Sequence, residues 1–245
     1  FHDSELTNVT FSEGVCDIGP MAFAYTKIKS LKLPDSLIDL GSGAFYGCND
    51  LESVSFGENL TYIPYEAFRY SGLKSLTLPI TVDEVDELAF ANTKITEVTF
   101  ENPDVNLCKE AFAYSELSTY SIPENSDTIE MSLFEGTKLT SIDVSDTVTN
   151  IEYGAFRYCS NLSDISLPQT LTHIGGNAFT DTAWYMSQAD GVTYLEDYIL
   201  YDYKGIPAQG EVVNIPEGIR LVADYAFAED NGITAVSYTH LRAHE

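Results

Sequence analysis

Positive charge is scarce in this chain: 12 Lys and Arg stand against 38 Asp and Glu in 245 residues, a formal net charge of -26. So acidic a protein is repelled by nucleic acid and by anionic membrane surfaces, and no nucleic-acid partner is expected. No run approaches the ~18 apolar residues of a membrane span, and no basic-then-apolar leader opens the chain. Residue 1 is Phe rather than Met, and the repeat described below is already running by Leu6. The chain therefore reads as a piece of something longer, so the missing leader does not argue for a cytoplasmic protein. Cysteine is sparse, with four residues at 16, 48, 108 and 159. They fall in coils too far apart, or at phases too different, for disulfide geometry, and free thiols packed mostly as small core residues are expected. Catalytic signatures are missing too. There is no Gly-x-Ser-x-Gly elbow and no Cys-x-x-Cys pair. Gly41-Ser42-Gly43 lacks the third Gly of a dinucleotide fingerprint and the Lys of a phosphate loop. Pairs such as Glu196 and Asp197 carry little weight among 38 acids. No enzyme, cofactor or metal site is expected.

What the chain does have is a beat. Phe23, Phe45, Phe68, Phe90, Phe112, Phe134, Phe156 and Phe179 recur every 22 or 23 residues, each preceded by Ala except at Leu133, and another Ala-Phe pair follows at Phe227. A fixed period in this range marks a stacked repeat array. Apolar residues return 17, 14 and 12 positions before each Phe, from Ile28, Leu31 and Leu33 in the second coil to Leu162, Ile165 and Leu167 in the eighth. The last two of each triplet alternate with polar residues, the pattern of a short strand with one buried face. A further apolar residue stands five positions before the Phe, as at Ile18, Leu40 and Ile63. Three positions after it a small Thr, Ser or Cys predicts a tight buried corner, as at Thr26, Cys48 and Ser71. One coil cannot bury enough to order itself, so stability must come from stacking, through shared apolar faces and a continuous backbone ladder between successive strands.

The run Ile-Gly-x-x-Ala-Phe, a small residue, then Leu-x-x-Leu-x-Leu-Pro is seen best over residues 18–34 and 174–182. It resembles the BspA-like class of leucine-rich repeat over about residues 6–238. The resemblance implies an α/β, β-rich solenoid of short parallel strands with irregular or short helical returns. It also implies a bacterial cell-surface or secreted setting, protein binding or adhesion to a host or matrix protein, and no catalytic residues. Residues 1–238 are expected to form one solenoid of about ten coils, and a monomer is expected.

Two places depart from the pattern. Phe179 and Phe227 are 48 residues apart, and an aromatic-rich stretch at about residues 183–205 replaces the expected strand triplet. Within it, 192–195 and 198–201 read as a hairpin around Glu196-Asp197. The stretch is either a variant repeat that seals or kinks the solenoid, or an exposed binding loop presenting Trp184, Tyr185, Tyr194 and Tyr198, for carbohydrate or for protein. The second departure is residues 239–245, which do not start another coil and read as a truncated or non-native tail. His240 and His244 have helical ligand spacing but no third ligand.

Outward strand positions carry a Ser/Thr-rich ladder, Ser30, Ser53, Ser75, Glu97, Thr119, Ser141 and Asp164 among them, which reads as a solvated sheet or a weak ligand lattice. Two residues after the Phe, odd coils carry Tyr25, Tyr70, Tyr114 and Tyr158, and even coils carry Gly47, Asn92, Gly136 and Asp181, with Glu229 keeping the parity. Either each Tyr folds over the small residue of its neighbour, or the four rings form an amphipathic stripe for a partner. The expected function is a non-enzymatic surface or secreted binding protein, with a rigid spacer and a carbohydrate binder as alternatives.

Overall fold

Each coil is closed by a turn built around its Phe, and the hydrogen bonding of that turn explains the whole stack. In the computed structural model, which describes residues 1–123, 125–228 and 232–238, alternate amides of the turn point in two directions. The amides of residues 22, 24 and 26 close i to i-3 bonds within the turn, onto Gly19, Met21 and Phe23. Those of Met21, Phe23 and Tyr25 instead donate to Ser42, Ala44 and Tyr46 of the next coil. Such alternation requires left-handed backbone two residues before and two residues after every Phe, and φ lies between 51° and 69° at these positions throughout coils 1–8. Glycine, Asn and Asp suit that conformation, whereas Met21, Leu88 and the four stripe tyrosines adopt it at a cost of roughly 1–2 kcal/mol each. The inter-coil bonds offset this cost.

The Ala before each Phe has no room to be larger. It is fully buried in most coils, and its carbonyl accepts the Phe amide of the preceding coil at 2.8–2.9 Å. Inside, the eight Phe rings stack in one column with centroids 5.2–5.7 Å apart at every step but one. The residue three after the Phe is buried in each of coils 1–8. There Thr26, Thr93 and Thr182 donate to their own Phe carbonyl, and the thiols of Cys48 and Cys159 donate to the Phe carbonyl of the preceding coil. All four cysteines are free; Cys48 and Cys159 are buried, Cys108 is half-buried and Cys16 is exposed.

Two further walls complete the coil. One holds parallel strands such as Ser30–Lys32 with Ser53–Ser55, Ser75–Leu78 with Glu97–Phe100 and Ser141–Asp143 with Asp164–Ser166. The other holds two-residue strands, for example Tyr62–Ile63, Glu84–Val85 and Asn106–Leu107. The expected continuous strand ladder is in fact segmented. Between coils 5 and 6 the strand pairing lapses on both walls at once, the only such junction among the described residues of the eight coils. There the Phe112–Phe134 centroids stand 6.5 Å apart, and the Phe112 amide reaches the Leu133 carbonyl at 3.3 Å. A cavity of about 230 Å³ opens beside Leu133 and Tyr120. Both side chains are bulkier than the residues that hold their positions in neighbouring coils, and they fall at this seam.

The returns are turns, and among the described residues helix is confined to Ala183–Ser187 in the variant unit. That helix is followed by a hairpin of Gly191–Leu195 and Ile199–Lys204. Its loop holds three residues, 196–198, rather than the expected two. Tyr198 sits in the loop because its hydroxyl lies 3.0 and 2.9 Å from the carbonyls of Leu167 and Pro168. Beyond the hairpin, Glu211–Ile215 pairs in parallel with Ile233–Tyr238 over a small second core of Leu200, Val213, Ile215 and Ala226. Glu229, His240, His244 and the tail at 239–245, singled out from the sequence, fall outside the described residues.

Candidate interaction surface

The aromatic stretch turns inward. Trp184, Tyr185, Tyr194 and Tyr198 are each half-buried. Trp184 meets the last ring of the column, Phe179, edge-on at 6.3 Å, and Tyr201 does the same at 5.8 Å. The Phe179 amide, whose counterparts in other coils reach an Ala or Leu carbonyl, donates to the Tyr201 hydroxyl at 2.7 Å. A side-chain oxygen thus ends the backbone ladder. The Tyr185 hydroxyl donates to Asp202, and Tyr194 packs against the second core. Lys204 donates to the carbonyls of Tyr185, Met186 and Gln188 at 3.0, 3.1 and 2.6 Å, capping the short helix. Burial and the Asp202 carboxylate hold the Tyr185 phenol above its ordinary range.

The stripe tyrosines face the other way. Tyr25, Tyr70, Tyr114 and Tyr158 are exposed, with 39–47% of their surface open. One face of the ring is nevertheless spoken for: a Cβ on Gly47 would come within 2.6 Å of the Tyr25 ring, and one on Gly136 within 2.4 Å of the Tyr114 ring. In coils 2 and 6 a glycine is the floor on which the Tyr of the preceding coil lies, which accounts for the alternation at those two pairs, and Asn92 and Asp181 hold the same position in coils 4 and 8. Part of each ring stays open to solvent.

The structure adds neighbours that the sequence reading passed over. Tyr46 bridges Tyr25 and Tyr70 with edge contacts at 5.3 and 5.5 Å. Arg69 lies over Tyr70 at 4.9 Å and Arg157 over Tyr158 at 4.4 Å, within cation–π range. Arg69 also pairs with Glu66, and the Tyr114 hydroxyl donates to Glu135. Burial and then that carboxylate push the Tyr114 phenol up to about 12. Tyr62, Tyr65, Met131 and Tyr153 extend the same edge, each 37–42% exposed. The available signal was the residue one after the Phe. It is Ala in coils 1, 4 and 5 but Tyr46, Arg69, Glu135 and Arg157 in coils 2, 3, 6 and 7, a choice that buried packing would not tolerate.

The outward strand face differs in kind. Ser30, Ser53, Ser75 and Ser141 are exposed there without ring contacts, so this wall offers hydroxyls and little apolar area. No helix among the described residues is long and apolar enough to cross a membrane.

A family model for the BspA type leucine rich repeat region matches residues 1–116 and 84–207, in six copies. The chain belongs to the BspA-type leucine-rich repeat family. Its BspA-type coils superpose on solved bacterial repeat proteins. Over 94% of this chain and 62% of the other, it matches a leucine-rich repeat protein from Bacteroides ovatus with TM-score 0.68 and 24% identity. Over 91% of this chain and 54% of the other, it matches the pneumococcal vaccine antigen PcpA with TM-score 0.57 and 20% identity. A leucine-rich repeat protein from Eubacterium ventriosum matches at TM-score 0.52 and 18% identity, over 99% of this chain and 69% of the other. These likenesses carry the fold, and the chain spans under two thirds of the length of the first two. A search of curated proteins finds no match. As a BspA-type repeat protein, the chain places its exposed aromatics on the turn edge rather than on the strand wall.

Proposed function

We propose that this BspA-type array is a non-enzymatic, extracellular or cell-surface binding module whose turn edge engages a protein ligand, such as a host or matrix protein. One observation carries the reading: large aromatic side chains stay open to solvent at Tyr25, Tyr70, Tyr114 and Tyr158 along a rigid edge. Tyr is a favoured interface anchor because it brings a large ring and a hydroxyl at little entropic cost. A protein fits this edge better than a small molecule does, since every second coil presents a flat ring, at roughly 10 Å steps, rather than a deep cleft. The inward packing of residues 184–203 speaks against carbohydrate recognition there. In the competing reading the array is a rigid spacer, and the rings serve only the turns they cover. The two readings separate in a binding screen of immobilised serum and matrix proteins with the wild type and Tyr70→Ala/Tyr114→Ala. A binding module retains a protein and loses it in the variant. A spacer retains nothing above background, and its variant shows only a lowered melting temperature.

A further inference from the structure

The exposed rings do not stand among neutral neighbours. In the turns of coils 3–7, from four residues before each Phe to two after it, seven carboxylates face three cations, Arg69, Lys109 and Arg157, so the edge carries 3 - 7 = -4. Two of those cations are spent on Glu66 and on Glu87. The carboxylates lie between the rings rather than apart from them: Tyr62 donates to Asp86 and Tyr114 to Glu135. Their crowding is visible at Glu110, where burial and then Glu87 and Glu135 make the proton harder to lose. It is visible again at Glu130, through burial, Glu152 and Asp127. A face that keeps like charges this close is relieved by any cation that settles among them, and the Tyr faces that Arg69 and Arg157 leave open attract the same cation.

We infer that the carboxylate-and-tyrosine edge of coils 3–7 receives an extended, lysine- or arginine-rich segment of the protein partner. The inference rests on the protein-binding reading above and gives that partner its chemistry. Five coils span about 20 Å, the reach of about six residues of extended chain. Cationic side chains would alternate between ring faces and carboxylates, with Glu110, Glu130 and Glu152 as unpaired or weakly paired acceptors. The strand wall, with its sparse charge and no exposed rings, would take no part.

The test uses the whole chain and a fluorescent lysine–glycine repeat peptide, with serine–glycine and glutamate–glycine peptides beside it. Diffuse attraction to a chain of charge -26 is separated from a site by two variants with equal charge change, Glu110→Gln/Glu130→Gln/Glu152→Gln on the edge and Glu97→Gln/Asp143→Asn/Asp164→Asn on the strand wall. The expected result is a Kd about tenfold weaker for the edge variant and less than about threefold weaker for the wall variant, with no binding of the other two peptides. Equal losses in both variants, or equal binding of the serine peptide, overturn the inference. If the lysine peptide fails while Tyr70→Ala/Tyr114→Ala still loses a captured serum or matrix protein, the edge remains a protein-binding surface and only the cationic partner falls.

Discussion

Replacing Gly136 by Ala tests why the array repeats in pairs of coils. Two costs are expected. Gly136 sits at φ 69°, where an L side chain pays roughly 1–2 kcal/mol. The new methyl would also lie 2.4 Å from Cδ1 and 2.6 Å from Cε1 of Tyr114, well inside contact distance. The ring must move, and its hydroxyl is tied to Glu135, so displacement adds about 1–2 kcal/mol, the lower part of the range for overpacking because the far face is open. The total is about 2–4 kcal/mol, a fall in Tm of about 4–16 °C for a chain of this size. Thermal melts followed by circular dichroism, run as a double-mutant cycle with Tyr114→Ala, divide the two costs. With the ring gone only the backbone cost remains, so Gly136→Ala should cost about 1–2 kcal/mol in that background and the pair should couple by about 1–2 kcal/mol. If the two substitutions add within about 0.5 kcal/mol, the ring does not rest on the glycine, and the account of the period as a steric alternation is wrong.

Other outcomes follow from contacts already described. Tyr201→Phe leaves the buried Phe179 amide without an acceptor and should destabilise by about 1–3 kcal/mol, seen as lost hydrogen-exchange protection at that amide. Lys204→Met removes the cation that gathers three carbonyls at the end of the short helix, and should lower stability by about 1–3 kcal/mol with a change in the fluorescence of Trp184, the sole Trp. Iodoacetamide should modify exposed Cys16 first. Cys108, whose thiol is pushed up to about 11 by burial and then by Glu84 and neighbouring acids, should react slowly at pH 8, and Cys48 and Cys159 only after unfolding; a fast reaction at Cys159 would contradict its burial. For pH, Glu110 and Glu130 have folded values raised above the ordinary carboxylate range. The stability tied to their protons is fully present below that range and lost as pH rises through the folded values, so Tm should be higher at pH 5 than at pH 7. A lower Tm at pH 5 would show that carboxylate crowding is not a net cost.

The period of the Phe column made the solenoid legible before any coordinates, because core spacing is written directly in residue types such as Ala67-Phe68 and Ala89-Phe90. The turn geometry was not legible. Met21, Glu66, Leu88 and Glu110 occupy left-handed positions that propensity would deny them, since the inter-coil ladder outweighs the local preference. The three-residue hairpin loop escaped for a similar reason: Tyr198 is a good strand former, but two distant carbonyls hold its hydroxyl. Of the candidate surface, the stripe tyrosines could be found by counting from the Phe. Tyr62, Tyr65 and Tyr153 could not, because positions six and three before the Phe hold unrelated residues in other coils and only the folded edge brings them beside the stripe.

The seam between coils 5 and 6 gives the array a mechanical weak point. Strands paired along both walls share a pulling load over many bonds loaded together, whereas this junction holds through its turn ladder, its loosened ring stack and isolated bonds such as the Ser118 amide to the Thr96 carbonyl. Stretched from its two ends in an optical trap, the chain should part here first, releasing two blocks that then unravel separately. A tether built this way lengthens in steps under load, and its first step leaves the stripe tyrosines of coils 1, 3 and 5 on one block and that of coil 7 on the other.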